Sequence, residues 1–176
     1  MDWVLSEFRH FNVLVNNAGI QRQVNFLKGS RDLVEAGEEV GTNLMAPIHL
    51  SARLLPHLRR KKEAAILNIS SGLAYTPLAV VPVYCATKAA LHSLSLSLRH
   101  QLRNTSVQTF EIAPPMVATE LAGKRKRPEE GDYVMSAEAV AEGIIKALEE
   151  NQHEVALGAA ANLLAQREAL FSAINP

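Results

Sequence analysis

Tyr84 and Lys88 stand four residues apart at the start of a segment that reads as helix, so their side chains rise from one face with Cβ atoms roughly 5 to 6 Å apart. A phenol beside an ammonium group is a proton-transfer pair. Tyrosine, with a reference pKa of about 10, is a poor acid or base near neutrality, and bringing it to about 7 takes roughly 4 kcal/mol in favour of the phenolate. At an effective dielectric near ~20, a positive charge about 5 Å away supplies on the order of 3 kcal/mol. The partial positive charge at the helix N-terminus adds a few tenths, and a cationic cofactor ring nearby would supply the remainder. The chemistry this spacing points to is proton transfer at a hydroxyl or carbonyl, coupled to hydride transfer.

The pair alone decides little. With three tyrosines in the chain, a Tyr-x-x-x-Lys spacing arises by chance in roughly one such chain in five, so its company carries the weight. Ser71 closes a short apolar run and would stand at a strand exit, placed to polarise a carbonyl oxygen beside Tyr84. Asn43 lies on a preceding helix, where its amide could hold a water or a backbone group.

The elements that must position these groups are legible in the hydrophobic pattern. Asn12 to Val15 is a continuous apolar run ending in Asn16-Asn17-Ala18-Gly19, which predicts a parallel strand buried on both faces. From about Val40 to Arg60 apolar residues recur at three and four, and the basic cluster Arg59 to Lys62 closes a helix there. Ala64 to Ile69, stopped by Ser70-Ser71-Gly72, and Val107 to Ala113, stopped by Pro114-Pro115, read as two more buried strands. Between them Pro82 and the stripe Leu91, Leu94, Leu98, Leu102 mark a helix over about 83–102. Ser136 caps a further helix to Glu150, and a short strand at Glu154 to Leu157 and a last helix to about Ala173 follow.

This alternation predicts an α/β fold, a mostly parallel sheet with helices on both faces and no internal linker, so residues 1–176 read as a single domain. In such sheets chemistry collects at the carboxyl edges of the strands. The exits at Asn16 to Gly19, Ser70 to Gly72 and Pro114 to Thr119 are therefore expected to line one crevice.

Bulk properties narrow the partners. The chain has 176 residues, 48% hydrophobic and 20% charged, with 18 basic residues against 18 acidic. A zero formal net charge gives no electrostatic reason to expect nucleic acid or an anionic membrane, which leaves a small-molecule substrate. The single cysteine excludes an intrachain disulfide, and Asp2 and Glu7 interrupt any secretory leader, which fits the cytoplasm. No apolar run approaches the roughly twenty residues that span a bilayer. His49 with His57, and His92 with His100, are two helical turns apart, too far for one ion, so no metal is expected. Cys85 points about 100° around the helix from Tyr84 and reads as a packed thiol.

Through Asn16-Asn17-Ala18-Gly19, Asn43, Asn68-Ile69-Ser70-Ser71 and Tyr84-Cys85-Ala86-Thr87-Lys88, in this order and spacing, the sequence resembles the short-chain dehydrogenase/reductase family. Within that family NVLVNNAGIQ, LAVVPVYCATKAALHSLSLSLRHQLRNTSV and APPMVATEL are similar to the DltE-type branch, where Pro115 after Pro114 is a subgroup feature. The resemblance implies NAD or NADP as cofactor and a hydroxyl or carbonyl substrate. Tyr84 is then the general acid/base, Lys88 lowers its pKa and binds the nicotinamide ribose, Ser71 orients the substrate, and Asn43 completes a proton relay. It further implies that Asn17, Ala18 and Gly19 border the adenosine half of the cofactor and that Pro114, Val117 and Thr119 lie on its carboxamide and phosphate side.

One departure is large. The family's opening strand and Thr-Gly-x-x-x-Gly-x-Gly turn hold the pyrophosphate, and none of the nine glycines here is so spaced. The resemblance therefore implies a partial Rossmann-like sheet lacking the first βαβαβ half. In a truncated chain of that kind the strand at Val13 to Val15 would become an open edge. The 40–60 and 83–102 helices would remain as the family's homo-oligomer surface.

Two other readings stand beside the oxidoreductase: a truncated, non-catalytic fragment acting as a dimerisation module, and a Ser71–Lys88 acyl-transfer pair, which lacks the Gly-x-Ser-x-Gly elbow and Ser-x-x-Lys. Lys124 to Arg127 reads as a solvated loop, and the resemblance places it in a flap over the substrate. Gly72, Leu73, Leu78 and Val81 are expected to wall the pocket.

Overall fold

The computed structural model describes residues 2–33, 35–121 and 134–175, so the Lys124 to Arg127 run lies outside the described residues. A short helix α1 (Asp2–Glu7) leads into β1 (Val13–Asn16). A 3-10 stretch (Phe26–Leu33) then precedes α2 (Ala36–Val40), which runs through a π turn (Gly41–Met45) into α3 (Ala46–Leu58). Next come β2 (Ala64–Ile69), a 3-10 turn (Gly72–Ala74), α4 (Pro82–Leu102) and β3 (Val107–Ala113). The short strands β4 (Met116–Val117) and β5 (Val134–Met135) pair with each other, an element the sequence pattern does not announce. The chain closes with α5 (Ala137–Glu149), β6 (Glu154–Ala156), α6 (Ala160–Gln166) and α7 (Phe171–Ile174).

The main sheet is parallel throughout, in the order β1-β2-β3-β6. Side chains alternate between its faces. On one, Leu54 and Leu58 of α3 and Leu102 of α4 pack on Ala64, Ile66 and Val107. On the other, Ile144, Ala147 and Leu148 of α5 cover Leu67, Phe110, Ile69 and Ile112. Fully buried residues such as Leu58, Ile66 and Phe110 each contribute about 1.5 to 3 kcal/mol of transfer free energy. The expected α/β architecture with helices on both faces is what forms. Ser136 caps α5 by accepting from the Ala139 N–H at 3.0 Å, as its sequence position implies.

Two expectations need correction. β1 is not buried on both faces: Leu14 and Asn16 face α3, but Val13 and Val15 are 41% and 48% exposed. The cause is its place at the end of the sheet, paired with β2 alone among the described residues, beyond the reach of α5. The last helix is also not continuous. Arg167 adopts a positive φ of 47°, and a 3-10 turn (Arg167–Leu170) separates α6 from α7. The Thr76 hydroxyl lies 3.1 Å from the Leu163 carbonyl and 2.8 Å from that of Arg167, tying this break to the segment that follows β2.

α6 packs directly on the turn that follows β2, and that contact requires glycine at position 72. A Cβ there would stand 2.9 Å from the Ala160 Cβ and 2.8 Å from Leu163 Cδ1. Gly72→Ala should therefore push α6 away and lower stability by about 1 to 3 kcal/mol, measured by urea unfolding. Unchanged stability would show that α6 yields freely.

Candidate active site

The first turn of α4 carries Pro82, whose missing N–H costs nothing at a helix start. From there the inward face presents Tyr84 and then Lys88, only 5% and 4% exposed. Ser71, at the exit of β2, is 7% exposed, and Asn43, inside the π turn, is 1% exposed. The Ser71 hydroxyl accepts from the Leu73 N–H at 3.1 Å, capping the turn it begins, and lies near enough to the Tyr84 phenol to favour its ionised form. The Lys88 ammonium lies 5.6 Å from the centre of the Tyr84 ring and donates to the Ile69 carbonyl at 2.8 Å. Helix α4 and strand β2 thus bring the three groups together.

The electrostatics differ from the sequence expectation. Burial pushes the Tyr84 phenol up to about 12, and the Ser71 hydrogen bond only partly offsets it. Burial likewise lowers Lys88 to about 8. The spacing argument placed the lysine charge in a partly wet site, whereas here desolvation is the largest effect on each group and drives both toward their neutral forms. The surroundings responsible are apolar: Val81, Tyr84 and Cys85 cluster with Leu73 and Leu78. Cys85 is a packed thiol, 3.3 Å from the Leu78 N–H and raised by burial.

Asn43 holds backbone. Its Oδ1 accepts from the Ile20 N–H and its Nδ2 donates to the Ile20 carbonyl, both at 2.8 Å, and Nδ2 also reaches Thr87 Oγ1 at 3.1 Å. The Thr87 hydroxyl donates to the Tyr84 carbonyl at 2.8 Å, so one amide ties the β1 exit to α4. A Cβ built on Gly19 would fall 3.6 Å from Asn43 Oδ1 and 3.8 Å from Lys88 Nζ, which puts the first exit beside the lysine.

The other residues implied to border a cofactor sit less centrally. Asn17 and Ala18 are exposed just beyond β1. Pro114 is buried and its carbonyl accepts from the Gly72 N–H at 3.0 Å, joining the second and third exits. Val117 is held by β4–β5 pairing, and the exposed Thr119 accepts from the Leu121 N–H at 3.4 Å. A basin of about 950 Å³ lies between the 22–35 segment and Ala79–Val80, but Tyr84 and Ser71 do not line it.

Sequence reasoning missed a polar row across the sheet. Asn16, Asn68, Glu111 and Glu154 are register partners on successive strands. Asn16 donates to Asn68 at 2.8 Å and Asn68 to Ser95 of α4 at 2.9 Å. Glu111 accepts from Ser70 at 2.6 Å and pairs with His92 of α4 at 2.7 Å. The signal was available: a carboxylate in VQTFEIA and an amide in AAILNI are polar residues at the centre of apolar strands. Glu39, fully buried one turn before Asn43, has one oxygen without a partner and a pKa raised by burial.

Comparison with known proteins bears on the family and the fold. Residues 1–130 match the short chain dehydrogenase family. The chain is 51% identical over 155 residues to a Bacillus subtilis protein described as the uncharacterized oxidoreductase DltE, covering 88% of this chain and 62% of that protein. It is 31% identical over 121 residues to the 3-oxoacyl-[acyl-carrier-protein] reductase FabG of Haemophilus influenzae, covering 69% of this chain and 49% of the reductase. A short chain dehydrogenase from Burkholderia cenocepacia, solved in complex with NADP, superposes with a TM-score of 0.79 at 27% identity, covering 93% of this chain and 68% of that one. The chain thus spans somewhat under two thirds of the length of the DltE protein. With its motif residues gathered as described and most of its length matched, the chain belongs to the short-chain dehydrogenase/reductase family.

Proposed function

We propose that this chain carries the catalytic centre of an NAD(P)-dependent oxidoreductase that interconverts a hydroxyl and a carbonyl on a small molecule. The observation that carries the reading is the buried Ser71–Tyr84–Lys88 cluster at the carboxyl edge of a parallel sheet. A dinucleotide fits the residues present at its nicotinamide end. Gly19 leaves the first exit open beside Lys88, where a Cβ would stand 3.8 Å from Nζ, and the Leu73, Leu78 and Val81 wall is apolar. Lys88 would hold the ribose there, with Asn17, Ala18 and Gly19 on one side and Pro114, Val117 and Thr119 on the other; the glycine-rich pyrophosphate turn is not among the 176 residues.

When bound, the nicotinamide supplies the acceptor or donor of the hydride. Tyr84 takes the proton of the substrate hydroxyl during oxidation and returns it during reduction, while Ser71 holds the substrate oxygen. Lys88 stabilises the ionised phenol, and Asn43 completes the relay by fixing Ile20 and Thr87 around it. A cationic ring in so dry a site would act at low effective dielectric, and that contribution is what Tyr84, otherwise near 12, requires. Met45, at the end of the π turn before α3, and Leu96 on α4, 40% and 44% exposed, support pairing of two copies through that surface. No helix among the described residues is long and apolar enough to cross a membrane.

Tyr84→Phe should reduce NAD(P)-linked oxidation of secondary alcohols by about 100- to 10,000-fold, followed by nicotinamide absorbance, while cofactor binding persists. Equal turnover by the variant would refute the role.

Lys88 should also be a residue held against stability. A lysine lowered from 10.5 to about 8 disfavours folding by roughly 3 kcal/mol wherever it must stay protonated. Removing its bond to Ile69 costs about 1 to 2 kcal/mol. The depressed pKa contributes stability above 10.5 that is lost as the pH falls through about 8, so the penalty is complete near neutrality. Lys88→Met should thus be about 1 kcal/mol more stable than wild type near neutral pH. That advantage should shrink between pH 8 and 10.5, as read by urea unfolding across pH. A difference independent of pH would contradict this.

A further inference from the structure

We propose that His92 and Glu111 are positioning residues for the active site, acting through Ser70 to set the Ser71 hydroxyl on Tyr84. The inference rests on the oxidoreductase reading but adds two residues that neither the motif nor the resemblance assigns. Tyr84, Lys88 and His92 follow one another at four-residue intervals on α4, and each bonds to the segment 69–71 or to the residue beneath it. Tyr84 meets Ser71, Lys88 meets the Ile69 carbonyl, and His92 meets Glu111, which holds Ser70. Ser70 is gripped twice, since its N–H also donates to the Ile112 carbonyl at 2.8 Å. Its neighbour Ser71 therefore has little freedom in where it presents its hydroxyl.

Glu111 is 0% exposed in the middle of a sheet whose next row is apolar. Stability gives no reason for a carboxylate there, because desolvation of a buried charge tends to cancel its pairing, and an apolar residue of similar volume serves as well. What the carboxylate adds is geometry. Its two oxygens accept short, charge-assisted bonds of 2.6 Å from Ser70 and 2.7 Å from His92, on opposite elements. His92 also packs edge-on against the Tyr75 ring at 5.2 Å, a contact that opposes rotation of the imidazole away from Glu111.

The same side chains raise the idea of a metal site, since ligand atoms of His92, Glu111 and Glu154 lie within 4.8 Å of one another. Their oxygens are already engaged: those of Glu111 by Ser70 and His92, and those of Glu154 by Tyr75 at 3.3 Å and Arg99 at 3.7 Å. A cation would have to displace these donors and sit beside a guanidinium. The network is complete as a hydrogen-bonded brace.

The test is the Tyr84 ring-carbon resonance bearing the hydroxyl, in protein carrying 13C-labelled tyrosine and assigned by its loss in Tyr84→Phe. Ser71→Ala defines the shift when the direct bond is absent. Ser70→Ala and His92→Phe should move the resonance in the same direction, Glu111→Gln, whose single amide oxygen can serve Ser70 or His92 but not both, should move it part of the way, and Ser70→Ala should lower kcat about tenfold with KM unchanged. Urea unfolding checks that each variant is folded, and a merely structural role would lower stability without moving the Tyr84 signal. An unmoved signal in Ser70→Ala and His92→Phe, with a clear shift in Ser71→Ala, overturns the proposal. So does stoichiometric binding of zinc that is lost in Glu111→Gln. Normal turnover by Tyr84→Phe would instead sink the oxidoreductase reading and leave the resonance shifts standing.

Discussion

Everything at this site depends on how α4 is fastened to the sheet. Apolar contact holds its far end, where Leu102 joins Leu58, Ile66 and Val107. Near the chemistry the contacts are polar: Lys88 on the Ile69 carbonyl, His92 on Glu111, Ser95 on Asn68, and Arg99 on the Thr109 and His153 carbonyls. Apolar packing tolerates sliding by a fraction of an ångström, whereas hydrogen bonds weaken steeply with distance and angle. A helix docked through such bonds is fixed in register, and with it the relation of Tyr84 to Ser71.

This docking has an electrostatic price that the site then uses. Excluding water to make buried hydrogen bonds count also removes the solvation that ionised Tyr84 and Lys88 would need, so the phenol rises to about 12 and the ammonium falls to about 8. Both shifts run toward the neutral forms, although a Lys88 near 8 still carries its proton around neutral pH. In that state a small change in local charge moves the balance far, because the same low dielectric that raises the phenol amplifies any positive charge brought near it. The Tyr-x-x-x-Lys spacing supplies the arrangement, and the dry wall of Leu73, Leu78 and Val81 sets its sensitivity.

Much of this was legible in the sequence. The runs at Ala64 to Ile69 and Val107 to Ala113 are continuous and apolar because both faces are covered, and they end where the polar exits begin. The π turn holding Asn43 was not legible, since it depends on a clamp to Ile20 more than twenty residues away. Nor was the pairing of β4 with β5, each two residues long. The exposure of Val13 and Val15 escaped the pattern because an apolar run reports what a strand can bury, while its position in the sheet decides what it does bury. The pKa direction of Tyr84 failed for a related reason: spacing gives the distance to a charge but not the water around it.

The doubled residues of the family motif follow from strand geometry. Side chains alternate across a sheet with a period of two, so two adjacent residues at a strand end cannot face the same way. At the first exit Asn16 turns inward to Asn68, and Asn17 is left exposed beyond the strand. At the second, Ser70 turns to Glu111 and Ser71 to Tyr84. At each exit one residue is buried in bonds to the neighbouring strand while the next points elsewhere, Asn17 to the surface and Ser71 toward Tyr84. A single polar residue could do only one of these tasks: inward it would brace a site with no hydroxyl to offer, and outward it would offer a group on an unbraced strand end. The pairing of Asn-Asn and Ser-Ser is what a parallel sheet needs if its edge is to be both rigid and chemically equipped.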